Sequence, residues 1–398
     1  MRMAWLHSHL LLWSGGARFI YEVSRRIHRT IPVDILVEQS SPKIRQLFEA
    51  EGMRVIPINR KSSTSLWYWL LFPYYLAQNI RYLRQCKSHY SFILASIFPM
   101  HYAAYRADIK PYSAYVLEPF AFFHDHDMIR GFPFWKRIPL WILSCLYKKL
   151  DVAGVRKASS VMTINSGTAA WTKEIYGCDA VSSYLGVDTT LFAPKDKPAL
   201  TEKYRGRKIV IHSTDFTPLK RTWDAVKAIE SCRHEVPEVK LLITQSSENR
   251  DEIDKLNRYI AQKGLGDHVE LVGYLSHEDL PFYYSLADIS LYTGIGRGAS
   301  AASLFVLECM ACETPGIRTR FTEDEIIHDV SGFLYTPGNT RQLQEYLIRL
   351  LRDDDMRKRF GKAGREKVVR DYSWDAVSNR FLTFIENKKK STVLKISL

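Results

Sequence analysis

The residues whose types and spacing best suit chemistry lie in 286–315, LADISLYTGIGRGASAASLFVLECMACETP. The stretch reads as a short buried strand, a loop of glycine and small residues, and a helix opening near Ser303. Ser300 and Ser303 are good N-cap types, and Leu304, Leu307, Glu308 and Ala311 recur at helical spacing on one face. Glu308 is the odd member, because a carboxylate on an apolar face is costly unless something hydrogen-bonds it. The loop offers backbone N–H groups and the positive end of a helix dipole, which suits a diphosphate. A carboxylate about one turn inside the helix can accept from a pair of ribose hydroxyls. Together these features point to a nucleotide site. The plainer alternative is a helix that only packs on a sheet, with Glu308 salt-bridged.

Other clusters carry less. Cys309 and Cys312 form a CxxC within that helix and have no second pair, so they read as buried structural thiols. His124, Asp125, His126 and Asp127 are metal-ligand types, yet four adjacent residues cannot converge on one ion, and a solvated loop is the better reading. His7 and His9 close the first strand and point to one side. In 131–150, GFPFWKRIPLWILSCLYKKL, Trp135, Ile138, Trp141, Ile142 and Cys145 make an apolar stripe edged by Lys136, Arg137, Lys148 and Lys149. Such a helix suits a lipid interface as well as it suits a core. The neighbouring WYWLLFPYYL (67–76) is interrupted by Pro73 and reads as a core helix.

The elements that must position these residues alternate. The first series is a strand at 3–7, Gly15-Gly16 and a helix at 18–26, then strands at 33–39, 54–59, 92–98, 113–119 and 160–165. Helices at 41–51 and 65–85 separate some of them. A connection at 184–198, with glycine, two prolines and mixed charges, leads to a second series. Its strands fall at 207–212, 240–245, 269–274, 288–292, 315–319 and 332–337, with helices between them, a helix start at 323–328, and helices at 340–352, 353–369 and 373–387. Strands alternating with helices imply parallel sheets wound on both faces, an α/β chain of two doubly wound halves. The expected domains are 1–195, 196–372 and a C-terminal helix and basic tail, 373–398, packing back on the first.

A chain of 398 residues, 46% apolar and 25% charged, has room for two real cores. The net charge of +13 favours acidic partners: nucleotides, anionic lipid surfaces or nucleic acid. Nucleic acid is disfavoured, since the lysines and arginines are spread along the chain and no helix-turn-helix, zinc-finger or RNP-like pattern occurs. Nothing at 1–7 resembles a secretory leader, no apolar run reaches membrane-spanning length, and the six scattered cysteines suggest a reducing cytoplasm.

With these elements in place, the chain resembles the GT-B glycosyltransferases of family 4, which move a sugar from a nucleotide-diphosphate donor. The landmarks run in order: Gly15-Gly16 after the first strand, Asn165-Ser166, Tyr176-Gly177, GVDTTLF (186–192), FTPLKR (216–221), LVGYLSHEDLPFYYSLADISL (271–291), SLFVLECMACETP (303–315), GFLYTPGN (332–339) and YSWD (372–375). The resemblance implies two Rossmann-like domains facing a cleft, no metal and no cofactor beyond the donor, and retention of anomeric configuration. It implies that Lys220 holds the diphosphate and Glu308 the ribose, with Ser303, Leu304 and Gly16 beside the donor. Gly15, His101 and His124 would lie on the acceptor side. A lysine there neutralises charge growing on the leaving diphosphate, often the largest catalytic effect.

Three positions depart from the family pattern. Ser300 stands where the first glutamate of its E-x7-E falls, Asp215 where an arginine precedes the lysine, and Leu117 where YxHEP has histidine; Glu313 also replaces a glycine. Arg297 or Arg221 is the expected replacement for the arginine, and Glu118 and His101 are the nearby groups for the histidine's work. Three readings follow. The first is a cytoplasmic, membrane-peripheral transferase using a UDP- or GDP-sugar on a glycan or lipid-linked acceptor. The second is an inactive relative that binds a nucleotide sugar or scaffolds an active transferase. A more distant third is a nucleotide-sugar epimerase of the same fold.

Overall fold

The computed structural model describes residues 1–59, 66–125, 129–130, 133–247, 249–295, 303–321 and 325–396, with side chains described at all of these except 66 and 389–396. Contacts divide the chain into two compact units, 1–185 with 377–398, and 186–376.

In the first unit the strands are β1 (Met3–Leu10), β2 (Val33–Ser40), β3 (Arg54–Pro57), β4 (Phe92–Ser96), β5 (Ser113–Val116), β6 (Ser160–Thr163) and β7 (Ala180–Ser182). They form one parallel sheet in the order β3-β2-β1-β4-β5-β6-β7. The near-continuous apolar runs of β1 and β2 are what a sheet covered on both faces requires. Winding reverses between β1 and β4, so the ends of those two strands open a crevice of the kind in which α/β sheets bind ligands. The strand β7 has no counterpart in the sequence reading: three residues give no periodicity.

The helices of this unit are α1 (Gly15–His28), α2 (Pro42–Ala50), α3 (Leu66–Leu70), α4 (Phe72–Cys86), α5 (Met100–Arg106), α6 (Ala121–His124), α7 (Phe134–Arg156) and α8 (Ser166–Tyr176). The single helix expected over 65–85 is two. It breaks at Leu71, and Pro73, which lacks an N–H, sits in the first turn of α4, where none is needed. By contrast α7 runs through Pro139 without interruption.

In the second unit, after α9 (Pro198–Lys203), the strands β8 (Lys208–Thr214), β9 (Val239–Gln245), β10 (Val269–Gly273), β11 (Ile289–Tyr292), β12 (Gly316–Thr319) and β13 (Gly332–Tyr335) pair in parallel in the order β10-β9-β8-β11-β12-β13. The reversal lies between β8 and β11. The helices are α10 (Thr222–Cys232), α11 (Arg250–Gln262), α12 (Leu280–Leu286), α13 (Leu304–Ala311), α14 (Thr340–Arg352), α15 (Asp354–Tyr372) and α16 (Trp374–Ile396). No helix begins at 325–328. Glu325 pairs with Arg318 of β12, and His328 bridges to Gly332, so the backbone there is committed to the sheet edge.

The GVDTTLF segment belongs to this unit. Val187 pairs with Ser373, Phe192 stacks on Tyr284, and Gly186 leaves room for the Trp374 ring, which a Cβ would strike at 1.9 Å. From Val377 onward α16 packs in the first unit, with Phe381 stacked on Trp5 at 5.6 Å.

Candidate active site

In the second unit the site is built where β8 and β11 diverge. After β8 the chain turns through Asp215–Arg221, a loop bracketed by two left-handed residues, Phe216 (φ 57°) and Arg221 (φ 48°). Non-glycine residues in that region cost about 1–3 kcal/mol each and tend to persist where a site over-determines them. The loop is indeed over-determined. Phe216 N donates to Thr214 Oγ1 (2.8 Å), the Thr214 and Thr222 hydroxyls are 2.6 Å apart, and the Thr293 hydroxyl reaches both Lys220 O and Arg221 O at 2.9 Å. Ile295 N donates to Leu219 O at 2.8 Å. Beneath them His212 is buried against Leu291 O (2.9 Å) and held down to about 4 by burial, so it stays neutral.

The result is a fixed perch for Lys220, whose ammonium stands 5.4 Å above the Tyr292 ring. Tyr292 also carries the Arg318 guanidinium at 5.7 Å, and Gly294 makes space for it, since a Cβ there would meet the ring at 2.6 Å. Arg318 is fully buried and ion-paired with Glu325. Neither Tyr292 nor this pair was singled out in the sequence, although an arginine inside the short apolar strand GIRT was a usable signal.

Asp215 does not present a cation, and its carboxylate accepts from the Thr217 amide (2.9 Å) and hydroxyl (2.6 Å) in a local turn. Arg221 pairs with Asp224, Nε to Oδ2 2.6 Å. Arg297 and Ser300 lie outside the described residues.

Ser303 caps α13, its hydroxyl accepting from Val306 N at 3.4 Å. The helix is buried at Phe305, Val306, Leu307, Cys309, Met310 and Ala311, and only Leu304 and Glu308, one turn apart, remain partly open. Glu308 therefore does not share a face with Leu307 and Ala311 in an apolar interior. It shares with Leu304 the one strip the helix leaves partly accessible. Cys309 and Cys312 are buried free thiols, and no cluster of metal-ligating side chains occurs among the described residues.

In the first unit, Gly15 and Gly16 open α1 behind the N-cap Ser14, which accepts from Ala17 N at 3.3 Å. A Cβ at Gly15 would meet nothing within 4 Å, and one at Gly16 only Ser14 Oγ at 3.9 Å. Neither glycine is needed for packing, and the helix start is open. Glu118 and Leu117 lie half-buried just beyond β5. His101 and His124 are interior instead. His101 is buried in α5, and His124 bonds Asp151 (Nε2 to Oδ2, 2.8 Å), which also accepts from the Tyr176 hydroxyl at 2.8 Å. His126 and Asp127 lie outside the described residues.

At the β1/β4 crevice a buried polar network joins what the sequence left apart. His7 Nδ1 meets Ser96 Oγ at 2.9 Å. Glu38 of β2 accepts from the Tyr68 hydroxyl (2.9 Å) and Asn79 (2.6 Å), with His9 Nε2 3.5 Å away. Burial pushes Glu38 up to about 7 and His9 and His7 down to about 4 and 3.

The second unit matches a family of known proteins. The family model of the glycosyl transferases group 1 matches residues 195–367, almost the whole second unit. Residues 195–367 are a group 1 glycosyl transferase domain. The chain is 26% identical over 237 residues to a GDP-mannose-dependent alpha-(1-6)-phosphatidylinositol monomannoside mannosyltransferase of Mycobacterium tuberculosis, an alignment covering 56% of this chain and 61% of that one. It is 24% identical over 237 residues to an N-acetyl-alpha-D-glucosaminyl L-malate synthase of Bacillus anthracis, covering 58% and 60%. The match thus spans about three fifths of these relatives' length. The crystal structure of Anabaena HepE in complex with UDP superposes with a TM-score of 0.74 over 97% of this chain and 100% of that one, at 15% identity. The glycosyl transferase domain and the sheet before it thus share the GT-B fold.

Proposed function

We propose that the chain transfers a glycosyl group from a UDP- or GDP-sugar to a glycan or lipid-linked acceptor, with retention and without a metal, at the cytoplasmic face of a membrane. The observation that carries this reading is Lys220, a cation whose loop backbone is held by the Thr293 hydroxyl and the Ile295 amide at the β8/β11 reversal. Its ammonium would neutralise the leaving diphosphate, the start of α13 at Ser303 would add N–H groups, and Glu308 would accept from the ribose. Arg221, bound to Asp224, and Arg297 are the candidates for the missing arginine.

Binding to UDP-, GDP-, ADP- and TDP-sugars, followed by thermal shift in the presence of EDTA, tests this. The expected outcome is a selective rise in Tm that disappears in Glu308→Ala and falls in Lys220→Ala, because a bound ligand stabilises by how far its concentration exceeds Kd. The absence of a shift with every donor, or a shift abolished by EDTA, would overturn the reading. Asp215 in its turn favours a second reading, a domain that binds donor but does not turn it over. Donor binding without hydrolysis or transfer would select it.

A further inference from the structure

We propose that α3–α4 and α7 together form a platform that seats this protein on an anionic lipid bilayer. On α7, Phe134, Trp135, Trp141 and Leu146 are each more than half exposed, the tryptophans 70% and 65%. On α3 and α4, Trp67, Leu70 and Tyr74 are also more than half exposed, Trp67 at 67%. The two elements are one body. Trp69 stacks on Tyr147 at 6.2 Å and Phe72 lies 4.6 Å from the same ring, so the inner faces share a partly buried aromatic seam while the outer residues face solvent. Three tryptophans and a tyrosine held in water by rigid helices, not by loops, are far from the scattered exposure normal for a soluble surface.

Charge selects the occupant. Neither 66–86 nor 129–150 contains an Asp or Glu, whereas the second holds Arg130, Lys136, Arg137, Lys148 and Lys149. A second copy would set one basic rim against another, while anionic headgroups complement both the rim and the apolar centre. No helix among the described residues is long and apolar enough to cross a membrane, so α7 would lie in the interface with its indoles at headgroup depth. The extension to α3–α4 changes the reading of 67–76, where Tyr68, Phe72 and Tyr75 do form core but alternate with side chains that do not.

Flotation with vesicles of phosphatidylcholine alone or with phosphatidylglycerol, and Trp emission on binding, tests the platform. The full chain should float with the anionic vesicles, with a blue-shifted emission and weaker binding at high salt. Trp135→Ser/Trp141→Ser and Trp67→Ser/Leu70→Ser should each weaken partition roughly tenfold or more with Tm unchanged, since all four residues stand in solvent. A chain that stays in solution overturns the proposal, as does a dimer by light scattering that dissolves in the same variants without vesicle binding. Full binding by the Trp67/Leu70 variant would overturn the two-element platform. Vesicle binding is read without donor or turnover, so its failure leaves the glycosyl-transfer proposal standing, and the reverse also holds.

Discussion

Glu38 shows what a single buried carboxylate does to this molecule. Its ordinary value of 4.5 is raised to about 7 by burial, only partly offset by Asn79 and Tyr68. Between those two values the folded chain holds a proton that the unfolded chain has released, so stability falls as pH rises through the window. The difference corresponds to about 3 kcal/mol by pH 8. The lowered His7 and His9 act in the opposite sense, costing stability as pH drops below 6.5. Denaturant unfolding of Glu38→Gln and the parent chain at pH 5 and pH 8 should separate the two. The variant should gain about 3 kcal/mol relative to the parent on going from pH 5 to pH 8. A pH-independent difference would show that Glu38 is not buried in its ionised form. None of this was legible in VDILVEQ, where the glutamate reads as an ordinary strand end. Its partners are Tyr68 and Asn79, some thirty and forty residues away, and sequence spacing carries no trace of them. By contrast Ser303 as N-cap followed from local rules, since a cap needs only its own first turn.

Among the elements, α7 is placed by a glycine. A Cβ at Gly154 would come within 2.5 Å of Tyr102 N and 2.7 Å of His101 C, both backbone, so α5 and α7 touch main chain to main chain. The Tyr112 hydroxyl donates to Gly154 O at the same crossing. Gly154→Ala gains up to about 1 kcal/mol of helix propensity but must push two helices apart, at about 1–3 kcal/mol or more. Net destabilisation is expected, visible as a lower urea midpoint with an unchanged slope, and a stabilised variant would contradict the crossing. At this scale most strands and helices could be read in advance, because apolar runs bounded by turn residues specify them locally. The edge strand β7 and the non-helical 325–328 could not. Each depends on a partner elsewhere: the β6 edge and buried Arg318.

For the molecule as a whole, the second unit is contiguous in sequence, 186–376, and has its own sheet and core. Expressed alone, it should unfold in one cooperative transition and bind whatever donor the parent selects; a molten fragment would overturn its independence. The two parallel sheets were legible from the alternation of strands and helices, while the order of their strands was not. The division at 185/186 was not, because GVDTTLF looks like a connection until Val187 is seen to pair with Ser373.

That pairing places the second unit as an insertion into the first. Trp5 waits for Phe381, and Phe19 and Tyr115 pack on the same ring at 6.0 and 5.3 Å. On the ribosome these three aromatic side chains emerge early and stay uncovered until the entire second unit has been made, a delay of roughly ten to forty seconds at about 5–20 residues per second. The later unit can finish folding first, and the earlier one passes that interval with an open core that a chaperone would be expected to hold.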